Sequence, residues 1–413
     1  MAALMLGIDF SKTDVQISLW NEERTRAEMY NFTGTATGEV LPVMVIADED
    51  GKLLFAKEAL DYSMKMQKTG ITSLYGNFAE EPVEIGPELK MTPKELFAAY
   101  LQQVLGSIRR RYGGAPIARI GITGERMTEA HIEHLSGVME TMGYDREKLF
   151  FSTHANAFLW YELFESAESE TVSMTLDFDS KGALSYLLIP ANTQKNLPCH
   201  ISTVDYSDMM TGSLSGFPDA EERAKGFEHI TEVALARKRI ATLYVTGDFV
   251  ENPEINRVLR TLSAEDRRIF AGRGLYCLGA CWNAVKERLP KNTIADRQIF
   301  HNVYLEAYQD AKEGPVRLLK AGTQLSEAET EVQVILDDTP ELKFEIEDVR
   351  TGESISCTFK PENLWMRENK TLRLEIRLIF LDYGTLVLKV RDIGFGEIYP
   401  ATFRVWEQMV NLQ

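Results

Sequence analysis

The chain has 413 residues, 44% hydrophobic and 26% charged, which suits a globular protein of two or three domains and excludes a disordered or collagen-like one. Its 45 Lys and Arg against 62 Asp and Glu give a formal net charge of −17, and no stretch gathers a basic face, so nucleic acid and anionic membrane are not expected as partners. Four scattered cysteines make no disulfide framework, the start has no basic region or cleavage site, and even Leu372 to Val390 carries five charges; a cytoplasmic protein without membrane helices is expected.

Leu6-Gly-Ile-Asp9 and Val15 to Trp20 read as two strands around a short polar turn. Leu41 to Ala47 and Lys52 to Phe55 flank Asp50-Gly51, a dipeptide suited to a tight hairpin. Thr92-Pro93-Lys94-Glu95 supplies an N-cap, a proline at the first helical position and a capping-box glutamate, ahead of apolar residues at helical spacing from Leu96 to Ile108. That helix stops at Gly113-Gly114, and Ile117 to Thr123 then reads as a strand parallel to the first, because a crossover helix separates them. A helix from Thr128 to Met142, the strand Leu149 to Phe151 and a helix through Tyr161 follow.

The strand pair Val172 to Asp177 and Gly182 to Ile189 repeats the opening strand-turn-strand unit, with Asp177 standing where Asp9 stands, which points to a duplicated α/β lobe. A helix from Ala220 to Ile240, the strand Thr242 to Val245, a helix from Pro253 to Leu262 and a last helix from Gly274 to Arg288 complete this part. The expected domain is residues 1–290, in lobes of about 1–165 and 166–290, with a connector at 291–315. Residues 316–413 read as a β-sandwich with strands at Glu331 to Leu336, Leu342 to Val349, Ser354 to Phe359, Leu372 to Leu381, Thr385 to Val390 and Ile398 to Phe403.

Isolated motifs carry little chemistry. Cys277 and Cys281 share a helical face but have no His or Cys beside them to complete a metal site, so small residues at a packing face are expected. His131 and His134 are three apart rather than four and read as a solvated face. Neither a Gly-x-Ser-x-Gly elbow nor a Gly-x-x-x-x-Gly-Lys loop is present.

In their order, these segments resemble the actin-like ATPases, and within them the seventy-kilodalton heat-shock chaperones, over nearly the whole chain. Gly7-Ile-Asp9-Phe-Ser-Lys-Thr13 is similar to that family's first phosphate loop, Val172 to Asp177 to the strand leading into its second, and Tyr244-Val-Thr-Gly247 to its adenosine-contacting Gly-Gly. Gly274 to Ala280 is similar to its last core helix, and Leu372 to Glu397 to part of its substrate-binding sandwich. The resemblance implies a two-lobed actin-like (ribonuclease H-like) α/β fold with a trimmed outer subdomain, followed by a C-terminal β-sandwich without a helical lid. It also implies a chaperone-like protein, with extended peptide or unfolded segments and a co-chaperone-like protein as partners.

Carried over residue by residue, the resemblance makes Asp9 and Asp177 the carboxylates for metal and water, and Ser11, Lys12, Thr13, Lys181, Gly182, Gly247 and Asp248 the residues around ATP. Several parts of the family's constellation are replaced. Ser11 stands for the first loop glycine, Asp179-Ser180-Lys181 for three glycines of the second loop, Thr153 and His154 for the catalytic glutamate and its proline, and Leu184 for a late aspartate. Close backbone approach to phosphate needs glycine, so a non-hydrolysing lobe is expected, with no cofactor, and with Lys12 and Lys181 pairing Asp9 and Asp177. Glu222-Arg223-Ala224-Lys225 echoes an adenosine-binding stretch of the family. The alternatives are a working ATP-dependent chaperone or actin-like ATPase using ATP and magnesium, and an interaction scaffold without peptide binding.

Overall fold

The computed structural model describes residues 3–412 apart from residues 12, 36–37, 73, 87–88, 125–126, 167–169, 179–181, 211–219, 248–249, 251–252, 264–266, 310–311, 337–338, 365 and 368–369. It is a mixed α/β protein with seven α-helices among the described residues and a strand-rich C-terminal part. The chain divides into two compact units, residues 1–189 with 201–290, and residues 190–200 with 291–413. No helix among the described residues is long and apolar enough to cross a membrane.

The first unit opens with β1 (Leu4–Phe10), β2 (Asp14–Asn21), β3 (Arg26–Met29), β4 (Val40–Pro42), β5 (Val45–Ala47) and β6 (Leu53–Phe55). Then come α1 (Ala56–Met66), β7 (Val83–Gly86), β8 (Leu89–Met91), α2 (Pro93–Arg111), β9 (Ile117–Gly124), α3 (Glu129–Thr141), β10 (Leu149–Thr153) and α4 (His154–Phe164). The capping box expected at Thr92 forms: its hydroxyl accepts the Glu95 amide at 3.2 Å, and the Glu95 carboxylate accepts the Thr92 amide at 2.8 Å. The unit continues with β11 (Ser173–Phe178), β12 (Ala183–Ile189), β13 (Cys199–Asp205), α5 (Ala220–Leu235), β14 (Thr242–Thr246), α6 (Pro253–Ser263), β15 (Arg268–Ala271) and α7 (Leu275–Lys286).

Two sheets result, and they repeat one order. In the first, β10-β9-β1-β2-β3, strand β1 runs parallel to β9 and antiparallel to β2. In the second, β15-β14-β11-β12-β13, strand β11 runs parallel to β14 and antiparallel to β12. Each lobe has its own apolar core, one around Ile8, Phe10, Phe97 and Tyr100, the other around Leu176, Phe178, Phe227 and Leu243. The repeat reaches individual residues: Asp9-Phe10 ends β1 opposite Thr123-Gly124, and Asp177-Phe178 ends β11 with Asp177 opposite Thr246, which precedes Gly247. Helix α7 crosses β1 and β9 and packs along α4, where a Cβ on Gly279 would lie 1.8 Å from the carbonyl oxygen of Ala157. Cys277 and Cys281 are buried on this packing helix.

His131 and His134 are not a solvated face. Both are half-buried, and the Phe78 ring meets them edge-on at 4.9 and 5.2 Å, because α3 turns this side towards the aromatic residues before β7.

In the second unit, β16 (Thr293–Ile294) pairs with Cys199 and His200. The other strands are β17 (His301–Gln309), β18 (Lys312–Leu319), β19 (Glu329–Leu336), β20 (Leu342–Asp348), β21 (Glu353–Phe359), β22 (Leu372–Asp382), β23 (Thr385–Asp392) and β24 (Val405–Asn411). They form two four-stranded sheets, β18-β17-β20-β21 and β19-β22-β23-β24, whose inward residues share one core. Two boundaries differ from the sequence expectation. Residues 291–315 are not a connector but carry β16, β17 and the start of β18, with Val303 and Leu305 alternating into the core. Ile398 to Phe403 is not a strand either: Ile398 is 84% exposed, Phe403 has φ 53°, and alternation resumes only at β24.

Two buried histidines give this unit an acid-sensitive core. His301 on β17 lies 3.8 Å from Asp348, itself gripped by Arg350, and His200 sits edge-on to Phe300. Burial pushes both imidazoles below their ordinary value, so the folded state refuses a proton that the unfolded chain accepts from about pH 6.5 downward. The stability they contribute is complete above that pH and is lost on acidification. Thermal unfolding between pH 7.5 and 5 is expected to record this loss, and His301→Asn to reduce it.

Candidate functional site

The strand ends that carry Asp9 and Asp177 meet at one side chain, His154. Thr153 ends β10 and caps α4, its hydroxyl accepting the Asn156 amide at 3.2 Å, which leaves His154 as the first helical residue at the ends of both sheets. Its Nε2 lies 2.8 Å from Asp9 Oδ1, a hydrogen bond, and its Nδ1 lies 3.7 Å from Asp177 Oδ2, an ion pair too long to be one. The ring stacks on Tyr276 in the first turn of α7, centroids 3.9 Å apart and planes 10° from parallel. Tyr276 in turn donates its hydroxyl proton to Asp177 Oδ2 at 2.9 Å. Asp9 and His154 are 9% and 8% exposed, so the cluster is closed to solvent on most sides.

Opposing effects set the protonation of His154. Burial alone favours the neutral imidazole, and the positive end of the α4 dipole acts the same way. The Asp9 charge, and then the contacts with Asp177 and Asp9, outweigh burial and hold the imidazole up at about 10. His154 is therefore an imidazolium at neutral pH, shared between two carboxylates. Burial, and then the neighbouring Asp177 charge, keep the Tyr276 phenol protonated and able to donate.

This arrangement is poor for a bound metal. The two imidazole nitrogens each face a different carboxylate, so the ring occupies the place between Asp9 Oδ1 and Asp177 Oδ2 that a bridging metal ion would need. The residues present do not fit a magnesium ion held by these aspartates.

The flanking turns are closed by side chains as well. Ser11 Oγ accepts the amides of Thr13 at 3.3 Å and Asp14 at 2.9 Å, taking up donors that a phosphate would need. Thr13 Oγ1 donates to Asp14 at 3.0 Å. After β11, Ser207 Oγ accepts the Ala183 amide at 3.3 Å and stands against Gly182, where a Cβ would lie 2.2 Å from it. Gly247 has φ +107°, and a Cβ there would lie 2.3 Å from the Phe178 carbonyl oxygen; that glycine serves the approach of its own backbone to β11.

Of the residues named from the sequence, the structure thus brings Asp9 and Asp177 together and puts Ser11, Thr13, Gly182 and Gly247 in turns at the same strand ends. Lys12, Asp179, Ser180, Lys181 and Asp248 lie outside the described residues. Among the described residues, the side chain between the aspartates is that of His154; the pairing expected from Lys12 and Lys181 falls on residues outside the described ones. In α5, Lys225 pairs with Glu221 at 3.0 Å one turn back and Ala224 is buried, which is the pattern of a helix face packed on its lobe. Tyr276 is the site residue that sequence reasoning missed; His154 was named there only as the replacement for the family's proline, not as the partner of Asp9 and Asp177. The resemblance put Thr153-His154 in the same constellation as Asp9 and Asp177, but the local sequence offers only the N-cap threonine before His154 and does not say that its ring would lie between the aspartates.

Comparison with known proteins agrees with the two-unit division. Residues 32–298 match the C-terminal part of a family of unknown function (DUF5716), and residues 298–412 match a domain of unknown function (DUF8552). The chain belongs to the DUF5716 family. Its family match contains Asp177, His154 and Tyr276, whereas Asp9 precedes it. No curated protein matches the chain.

Proposed function

We propose that this chain is a non-hydrolysing, chaperone-like binding protein, in which two actin-like, heat-shock-70-like lobes are joined by an internal cation and the β-sandwich takes an extended peptide. The observation that carries the reading is the His154 ring held between Asp9 and Asp177. In an actin-like ATPase the equivalent carboxylates serve metal and water; here a side chain neutralises them, so the lobes need no nucleotide to stay together. The repeated strand order, with aspartate and threonine at matching positions, supports the kinship in fold. For the peptide half, support comes from the segment between β23 and β24, which exposes Phe395, Ile398 and Phe403.

Nucleotide binding tests the first half. A ligand at one hundred times its Kd adds about 2.7 kcal/mol to a native state that alone binds it. Millimolar Mg-ATP is expected to leave the melting temperature of the full chain unchanged; a rise of several degrees would promote the reading as a working ATPase. Extended apolar heptapeptides test the second half: the chain is expected to bind some of them, and Ile398→Ser with Phe403→Ser to weaken that binding. A chain that ignores the whole panel would be a scaffold instead.

A further inference from the structure

A second cavity adjoins the aspartate cluster, at the carboxyl ends of the parallel strands β14 and β15: Thr246 of its lining stands opposite Asp177, and Leu275 precedes Tyr276. A cavity of about 180 Å³ is bounded there by Tyr161 from α4, Tyr244 and Thr246 from β14, Phe270 from β15, and Arg273 and Leu275 leading into α7. The walls are aromatic and mutually braced. Phe270 stacks on Tyr244 with centroids 5.2 Å apart and planes 17° from parallel, and Tyr161 and Phe158 meet Tyr244 edge-on at 5.8 and 5.6 Å. Phe270 remains 51% exposed, a large apolar ring held at the rim.

The volume and the lining together point to a small ring. An engineered cavity of about 150 Å³ holds one benzene ring, whereas drug-sized ligands occupy about 300–1,000 Å³. One ring with a small substituent matches the 180 Å³. The charged side chain in the lining is that of Arg273, whose planar guanidinium matches a carboxylate. We infer that this cavity is a binding site for a single-ring aromatic carboxylate, with the ring against Tyr244 and Phe270 and the carboxylate at Arg273. This site is independent of whether the aspartate cluster excludes nucleotide.

Benzoate is the probe, read by saturation-transfer NMR on the full chain with cyclohexanecarboxylate and benzylamine for comparison. The expected result is transfer to benzoate at millimolar or lower concentration, at least tenfold weaker binding of both comparison compounds, and at least tenfold weaker benzoate binding in Arg273→Gln and in Phe270→Ala. Phe270→Leu, which keeps an apolar side chain at the rim, guards against a folding failure, and circular dichroism of each variant confirms a native spectrum. No transfer to benzoate, equal binding of cyclohexanecarboxylate, or unchanged binding in natively folded Arg273→Gln and Phe270→Leu would each overturn the assignment.

Discussion

His154→Ala is expected to lower the unfolding free energy by about 3–5 kcal/mol, the usual cost of removing one partner from a buried ion pair, because Asp9 and Asp177 are then left facing each other. The same interaction makes stability depend on alkali. A histidine held at about 10 in the folded chain and near 6.5 in the unfolded one contributes fully below about pH 6.5, and the contribution is lost as pH climbs through 10. Urea unfolding of the parent chain at pH 7 and pH 10 is expected to show that loss, and His154→Ala to show a smaller one. His154→Gln, which keeps a hydrogen-bond donor but no charge, should fall between the two. If His154→Ala unfolds at the parent's urea concentration, the cluster is not what joins the lobes. Acid affects the second unit through His200 and His301 in the opposite sense, so the two ends of the pH range weaken different parts of the molecule.

Gly279→Ala is expected to destabilise the chain by about 3 kcal/mol, at the upper end of ordinary overpacking, because the obstructing atoms are backbone. The added Cβ would lie 1.8 Å from the Ala157 carbonyl oxygen and 2.6 Å from its carbon, so α4 and α7 must move apart. Intrinsic helix propensity acts the other way, favouring alanine by about 1 kcal/mol inside a helix. The control is Gly106→Ala in α2, where the added Cβ meets only the flexible end of Arg110 at 3.5 Å. That variant is expected to gain up to about 1 kcal/mol. Paired urea denaturation of the two variants separates the effects; a gain at both positions would mean that α4 and α7 tolerate a wider spacing. Separation of those helices would also pull Tyr276 from His154, so the variant should lose part of the alkaline sensitivity.

The sequence by itself determined what depends on neighbours along the chain. Helix α2 is legible because Thr92, Pro93 and Glu95 cap it from within four residues, and its buried stripe repeats at the helical period. The strands of the sandwich are legible because alternation has a period of two, and the lobes because strand, turn and strand recur with an aspartate at the same place. Alternation misled at Ile398 to Phe403, where Pro400 breaks an apolar run before β24 begins, and it was passed over at β17, where Val303 and Leu305 alternate into the core. Asp9 and Asp177 were legible as a pair, but the group between them was not. His154 is 145 residues from Asp9 along the chain, and Tyr276 is 99 from Asp177. Whether a histidine is a neutral core residue or a buried cation depends on which charges reach it through space, and no local pattern carries that information. Only the tertiary packing of α4 and α7 at the ends of both sheets brings two carboxylates, an imidazole and a phenol within contact, and that contact decides that the aspartates face a side-chain cation.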